Sequence, residues 1–93
     1  MDINKGDIVL STAGRDKGNI FYVVDVADSS YVYIADGIIR KIDRPKRKKI
    51  KHLKLLSNED TRIRQKLLAN EKVYDAELRK SVRQLNFSFT QEE

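Results

Sequence analysis

The chain has 93 residues, of which 40% are apolar and 35% are charged, and its formal net charge at pH 7 is +5. This length supports one small domain with an appendage and excludes two independent hydrophobic cores. Because the chain has no cysteine, disulfides and thiolate metal sites are excluded, and we expect no metal or other cofactor.

The N-terminal segment has no basic stretch followed by a long apolar one. No apolar run approaches the roughly 20 residues that cross a bilayer. We therefore expect no signal peptide, no membrane partner and a cytoplasmic location.

Short β-branched and aromatic segments alternate with turn signals in the first part of the chain. Two of the turn signals are Gly18-Asn19 and Asp36-Gly37, in which glycine tolerates a positive φ. The segments between the turns predict five strands, at 7–11, 20–26, 31–35, 38–42 and within 48–56. Short strands joined by tight turns favour a small antiparallel barrel of the SH3-like sort.

The hydrophobic period changes at Ser57, where the sequence SNED fits a helix capping box. A short helix is predicted over about residues 59–69 and a second over about residues 71–86, either separate or continuous at Asn70. The second helix carries an apolar stripe at 3.6-residue spacing, formed by Tyr74, Leu78, Val82 and Leu85. We expect this stripe to pack on the barrel, and the alternative is a dimer seam.

The predicted fold class is therefore mainly β, with a small SH3-like antiparallel barrel followed by a C-terminal α-helical extension. We predict a barrel domain over residues 1–56. The helical extension is predicted over residues 57–93, packed on the barrel.

Residue types that carry catalysis are sparse. The single histidine, His52, stands among lysines and has no candidate partner at the spacing of a catalytic triad or a zinc site. The glycine-containing sequence AGRDKG lacks the spacing of a P-loop and precedes a predicted strand instead of a helix. We therefore expect no enzymatic activity and no small-molecule substrate.

Positive charge is concentrated in one part of the chain, residues 40–54, which we call the basic segment. It contains nine basic residues and one acid, a net charge of +8, whereas the rest of the chain has a net charge of −3. Such a concentration favours a polyanionic partner, because lysine and arginine near phosphates release condensed counterions. The alternative interpretation is a solvated segment without a partner.

A second feature is the cationic loop, residues 14–19, at the start of the second predicted strand. Gly14 and Gly18 would let the backbone approach a phosphate closely, because no Cβ intervenes. Arg15 can contact two phosphate oxygens at once, and Lys17 supplies a point charge. An ordinary hairpin turn with two exposed cations is the alternative.

We predict that the cationic loop and the basic segment contact RNA together. The predicted contact residues are Arg15, Lys17, Gly18, Asn19, Arg40, Lys41, Arg44, Lys46, Arg47, Lys48, Lys49 and Lys51. Three tyrosines are candidates for stacking on unpaired bases, or else pack within or against the barrel: Tyr22, Tyr31 and Tyr33.

Residues 6–26 resemble the KOW motif, which several large-subunit ribosomal proteins and transcription elongation factors share. The resemblance rests on Gly6-Asp7, on Val9, on the cationic loop with Gly18 at the family's characteristic glycine, and on the apolar strand that ends at Val26. The sequence ADGIIRKIDRPKRKKIKHL, residues 35–53, is similar to the ribosomal protein L14e/L6e/L27e-like group of KOW proteins.

The resemblance implies an SH3-like barrel without enzymatic activity that binds RNA. The expected partner is ribosomal RNA or the large ribosomal subunit. The alternative function is a protein-interaction module of the transcription or translation machinery, in which the barrel or the apolar stripe docks on a protein.

Overall fold

The computed structural model describes residues 3–91 and the side chains of residues 3–85, so the outermost residues of the two predicted domains lie outside it. The strands and helices, numbered in chain order, are β1 (Ile8–Ser11), β2 (Ile20–Val26), β3 (Tyr31–Ala35), β4 (Lys46–Lys49), β5 (Leu53–Ser57), α1 (Arg62–Leu68) and α2 (Asp75–Gln91). A single 3-10 turn, Ile50–His52, joins β4 to β5.

The five strands form one antiparallel sheet in the order β4-β3-β2-β1-β5. Strands β1 to β4 follow one another as neighbours, and β5 returns across the 3-10 turn to pair with β1. The ladder shifts register in β2 between Val23 and Asp25, which is the kind of irregularity that bends a strand. This arrangement is compatible with a small SH3-like barrel, and the predicted fold class is confirmed.

Alternate residues of the strands supply two hydrophobic clusters, because successive side chains point to opposite faces of a sheet. One cluster lies on one side of the sheet and is formed by Ile3, Val9, Phe21, Val23, Val32, Ile34 and Leu53. The other lies on the opposite side, where Ile8, Ile20 and Tyr22 contact the helices. The sheet is therefore covered on both faces.

Helices α1 and α2 contribute Ile63, Leu67, Leu78 and Val82 to the second cluster, and Leu85 packs against it. Tyr74 differs from its predicted place in the apolar stripe, since it is 57% exposed and its neighbour Val73 is buried. The reason is that α2 begins only at Asp75, so Tyr74 precedes the helix and the helical period does not reach it.

Within the described residues, no helix combines the length and the apolar character needed to cross a membrane.

A partly buried ion pair joins α1 to Asp7, the residue before β1. Arg64 Nη1 donates to Asp7 Oδ1 at 3.0 Å, and the backbone N–H of Asn4 donates to Asp7 Oδ2 at 2.7 Å. A Cβ on Gly6 would lie 2.6 Å from Arg64 Cγ, so the glycine makes room for the arginine. In this structure the Gly6-Asp7 pair of the KOW-like sequence anchors a helix.

The strand predicted at 38–42 is wrong. The side chain of Asp36 accepts the backbone N–H groups of Ile38 and Arg40, both at 2.9 Å, and Asp75 Oδ1 accepts the N–H of Ile42 at 2.8 Å. These carboxylates take the backbone donors that a strand would give to its neighbour. The fourth strand is instead β4, which begins directly after Pro45.

The predicted start of the first helix is also wrong. Ser57 is the last residue of β5, and the helix is capped by Thr61, whose hydroxyl accepts the N–H of Arg64 at 3.1 Å. Ser57 Oγ accepts the N–H of Glu59 at 3.1 Å, which is a turn contact before the helix. Asn70 has φ +57° and lies between two separate helices.

Replacing Gly37 with alanine is expected to lower the free energy of unfolding by about 2 kcal/mol. Gly37 has φ +76°, and an added Cβ would overlap the carbonyl oxygen of Asp75 and lie 2.9 Å from the backbone nitrogen of Arg79. Gly18→Ala is the matched control, because Gly18 has φ +90° with open space around it, and we expect about half that loss. Urea unfolding measures both, and equal losses would show that the contact with α2 is unimportant.

Candidate nucleic-acid interface

The cationic loop lies in the connection between β1 and β2 and is closed by backbone hydrogen bonds, one of which runs from Ser11 N–H to Asn19 O at 3.0 Å. The N–H of Gly18 donates to Ser11 O at 2.8 Å, that of Asn19 to Asp16 O at 3.0 Å and that of Lys17 to Gly14 O at 3.2 Å. Gly14 and Gly18 have φ +84° and +90°, a range in which L side chains are strained. The glycines are therefore required by the fold of the loop itself.

Asp16 points inward from this loop and binds the basic segment. Its Oδ1 accepts hydrogen bonds of 2.8 Å from Ser11 Oγ and from Lys48 Nζ, and Lys48 also donates to Ala13 O at 2.7 Å. Lys46 Nζ lies 3.2 Å from Asp16 Oδ2, at an angle that makes the contact electrostatic instead of a good hydrogen bond. The cationic loop and β4 are thus held together by one buried carboxylate.

The environment of Asp16 keeps it ionised. Burial alone would raise its pKa, but the hydrogen bonds from Lys48 and Ser11 and the ion pair with Lys46 outweigh burial and hold the pKa well below its usual range. The ion pair with Lys48 is nearly excluded from solvent, since Lys48 is 6% exposed. A pair of this kind fixes the position of the loop at every pH near neutrality.

The inward turn of Asp16 leaves its two cationic neighbours outside. Arg15 and Lys17 are exposed on either side of it, and Asn19 is exposed at the end of the loop. No heavy atom of the described residues lies within 4 Å of a Cβ built on Gly18, apart from its chain neighbours. The loop therefore presents two cations and an open stretch of backbone to the solvent.

Strand β4 divides its four basic residues between two directions. Lys46 and Lys48 are paired in the ladder with the buried Ile34 and Val32, and their side chains reach toward the cationic loop. Arg47 and Lys49 point to the other face of the strand. Because of these two directions, the four consecutive cations of β4 do not lie on one surface of the molecule.

Arg47 and Lys49 gather around Tyr31. The guanidinium carbon of Arg47 lies 3.7 Å from the centroid of the Tyr31 ring, and Lys49 Nζ lies 5.9 Å from the same centroid. Asp28 Oδ2 is 3.5 Å from Arg47 Nη2. The backbone N–H of Ser30 donates a hydrogen bond to Asp28 and is the main cause that holds the pKa of Asp28 below its usual value. The backbone N–H of Tyr31 adds a smaller effect in the same direction.

Arg40, Lys41 and Arg44 form a separate basic group. They lie in the connection 36–45, whose contacts run to the beginning of α2. Lys41 Nζ donates to Gly37 O at 3.3 Å within that connection. The basic segment is therefore continuous in sequence, but the connection before β4 contacts α2, whereas Lys46 and Lys48 of β4 contact the cationic loop.

Nine of the twelve predicted contact residues are exposed, two are partly buried and one is buried. Arg40 and Lys46 are the partly buried residues, and Lys48 is the buried one. Because the ammonium of Lys48 is bound to Asp16 and Ala13 O, we assign Lys48 the role of positioning the loop. Of the three tyrosines, Tyr22 is fully buried, with its hydroxyl 2.8 Å from Ser81 Oγ, and is excluded from base stacking.

The residue that sequence reasoning missed is Asp16. Asp16 is the acid between the two cations of the loop. The sequence of β4 contained a signal for its role, because side chains alternate along a strand and Lys46 and Lys48 therefore point to the same face. A buried lysine requires a counter-charge, and Asp16 is the acid nearest to the glycines.

In the described part of the chain, no group of three or more histidine, aspartate or glutamate residues is arranged to hold a metal ion.

The fold and this site define a small SH3-like barrel whose edge strand and first connection form a basic surface. No family model matches the chain. The large ribosomal subunit protein uL24 of Dictyoglomus thermophilum is 44% identical over 50 residues, which are 52% of this chain and 48% of that protein. The chain thus spans about half the length of this curated relative. The similarity supports the resemblance to ribosomal proteins with a KOW domain. It does not support the narrower L14e/L6e/L27e-like group in particular.

Proposed function

We propose that this protein binds RNA through the phosphate backbone, using the cationic loop and the adjoining edge of β4. The observation that carries the proposal is the Asp16 clamp, in which a carboxylate turned inward joins the loop to β4. Two stretches distant in sequence thereby become one surface. Arg15 and Lys17 are exposed on this surface and are not used by the clamp, so they can contact phosphates.

The chemistry of the loop suits a nucleic-acid backbone. The planar guanidinium of Arg15 matches two phosphate oxygens, and Lys17 adds a compact charge. The open space at Gly18 allows a phosphate or ribose to approach the backbone directly. Contacts of this type recognise the shape and charge of RNA and carry little information about its sequence.

The similarity to uL24, which is named as a protein of the large ribosomal subunit, supports ribosomal RNA or the large subunit as the partner. A role in translation and a cytoplasmic location follow from that partner. The narrower kinship with the L14e/L6e/L27e-like group rests on residues 35–53 and stays a prediction. The boundary between a barrel domain and a helical extension, after residue 56, is likewise part of this proposal.

Binding to ribosomal RNA is expected to weaken steeply with salt. If about five phosphates are neutralised, log affinity should fall against log salt concentration with a slope of about −3.5 to −4.5. In the double variant Arg15→Gln/Lys17→Gln, two contacts are lost, and the magnitude of the slope should decrease by about 1.4 to 1.8. Fluorescence anisotropy over a salt series measures the slope.

The matched control is Lys72→Gln/Lys80→Gln, which removes the same charge from two exposed residues of the helical part. This control should leave the slope within experimental error of the wild-type value. If both double variants reduce the slope equally, net charge and not the cationic loop governs binding. Salt-insensitive binding to a protein partner that survives nuclease treatment would instead favour the protein-interaction module.

A further inference from the structure

A polar pocket lies beside the C-terminal end of β4. It has a volume of about 490 Å³ and is formed where the turn between β2 and β3 meets the 3-10 turn, with Ser29, Ser30, Lys49, Ile50 and Lys51 as its lining. The N–H of Ile50 donates to Ser30 O at 2.9 Å and holds the two turns together. The pocket is therefore lined by two serines, two lysines and one isoleucine.

The two lysines of this pocket are available to an anion. Both are exposed, and neither forms an ion pair with another residue among those the structure describes. The nearby acid, Asp28, is already engaged, because its Oδ1 accepts the N–H groups of Ser30 and Tyr31 and its Oδ2 faces Arg47. The local balance of charge thus favours a phosphate group.

A stacking surface adjoins the pocket. The guanidinium of Arg47 lies on the ring of Tyr31, is held laterally by Asp28 and has a side chain that is 50% exposed. Lys49 belongs to both features, since it lines the pocket and lies 5.9 Å from the centroid of the same ring. An arginine fixed on an aromatic ring offers its outer face to a further planar group at little cost in side-chain entropy.

We propose that this second surface is a subsite for one unpaired nucleotide of the RNA, a proposal that rests on the proposed function. The base stacks on the outer face of the Arg47 guanidinium, and the adjoining phosphate enters the pocket between Lys49 and Lys51. A paired base does not fit this role, because its neighbours in the helix cover both of its faces. Single-stranded RNA is recognised through such stacking on aromatic and guanidinium planes.

The two surfaces bind different parts of the RNA: one contacts the phosphate backbone and the other binds a base. The cationic loop, on the Lys46 and Lys48 side of β4, contacts phosphates of any RNA. The subsite, on the Arg47 and Lys49 side, requires a nucleotide whose base is free. The protein is therefore expected to prefer RNA that has a single-stranded segment beside a folded one.

The variant Arg47→Lys tests the stacking contact while it preserves the charge. Its affinity for a labelled oligouridylate should fall about tenfold, and its affinity for a fully paired RNA hairpin stem should stay within about twofold. Arg62→Lys is the matched control, because Arg62 is exposed on α1 and is not one of the predicted contact residues, and it should change neither affinity. Fluorescence anisotropy at one fixed salt concentration measures all of these affinities.

The pocket is tested by titration with uridine 5′-monophosphate, followed by NMR on the wild-type protein. The amide signals of Ser29, Ser30 and Ile50 should shift, and Lys49→Gln/Lys51→Gln should abolish the shift. Inorganic phosphate should shift the same amides at a higher concentration, because it lacks the stacked base.

Three results would overturn the subsite. One is an unchanged affinity of Arg47→Lys for oligouridylate, another is an equal loss for oligouridylate and for the paired stem, and the third is the absence of shifts at the pocket. If the Arg15→Gln/Lys17→Gln slope still changes as expected, those results reject the subsite alone. A wild-type protein that binds no RNA would reject the subsite and the proposed function together.

Discussion

Replacing Asp16 with asparagine is expected to lower the free energy of unfolding at neutral pH by about 3 kcal/mol. The amide can still accept a hydrogen bond, but it leaves the ammonium of Lys48 without its counter-charge in a nearly dry position. Removing one partner of a buried ion pair costs far more than removing both. Urea unfolding followed by circular dichroism measures the loss.

The cost of Asp16→Asn should depend on pH in a defined direction. The pKa of Asp16 is lowered in the folded protein, so its contribution to stability is fully present above the unfolded value of about 3.9. The contribution is lost as pH falls through the lower folded value. The difference between wild type and Asp16→Asn should therefore be constant near neutrality and shrink below about pH 4.

Two further variants separate the ion pair from other effects. In Asp16→Asn/Lys48→Met the unpaired ammonium is gone, and most of the lost stability should return. Asp28→Asn, which changes an exposed contact with Arg47, should alter stability much less than Asp16→Asn does. A double variant as unstable as Asp16→Asn would show that the carboxylate acts through something other than Lys48.

The second large effect is expected from Leu78→Ala, with a loss of about 3 kcal/mol in the free energy of unfolding. Leu78 is fully buried in the cluster that α1 and α2 form with Ile8, Ile20 and Tyr22. Truncation leaves a cavity between the helices and the sheet, which the surrounding side chains fill only in part. Leu68→Ala is the control, because Leu68 is 52% exposed and its truncation should cost little.

The same variant tests whether the barrel and the helices are one cooperative unit. If they are, the helical circular dichroism and the fluorescence of the tyrosines, three of which lie in the barrel, should shift together to lower urea concentration. Loss of the helical signal while the tyrosine fluorescence stays at its wild-type midpoint would contradict a single unit. That outcome would make the boundary after residue 56 a division between independently folding parts.

The strands that pattern alone could identify are those with dense β-branched and aromatic residues. Strands β2 and β3 occupy the predicted residues, and β1 begins one residue later than predicted. The strand predicted at 38–42 also contains three β-branched residues, yet its backbone donors are taken by Asp36 and by Asp75, which lies 33 residues from Ile42. A contact over that separation leaves no local signal in the sequence.

The candidate site shows a similar limit. The sequence revealed how much charge residues 40–54 carry, and it did not reveal which charges are used inside the fold. Lys48 is held by Asp16, whereas Lys49, its neighbour in sequence, is exposed. The distinction depends on the direction of each side chain on β4, which in turn depends on where that strand begins.

The most direct test of the central claim is an NMR titration of the wild-type protein with a paired fragment of ribosomal RNA. The claim is that Arg15 and Lys17 face RNA together with the adjoining edge of β4. The amides of residues 14–19 and 46–49 should therefore shift at the same RNA concentration, with little change in α1 and α2. Shifts confined to the helices, or confined to one of the two stretches, would contradict it.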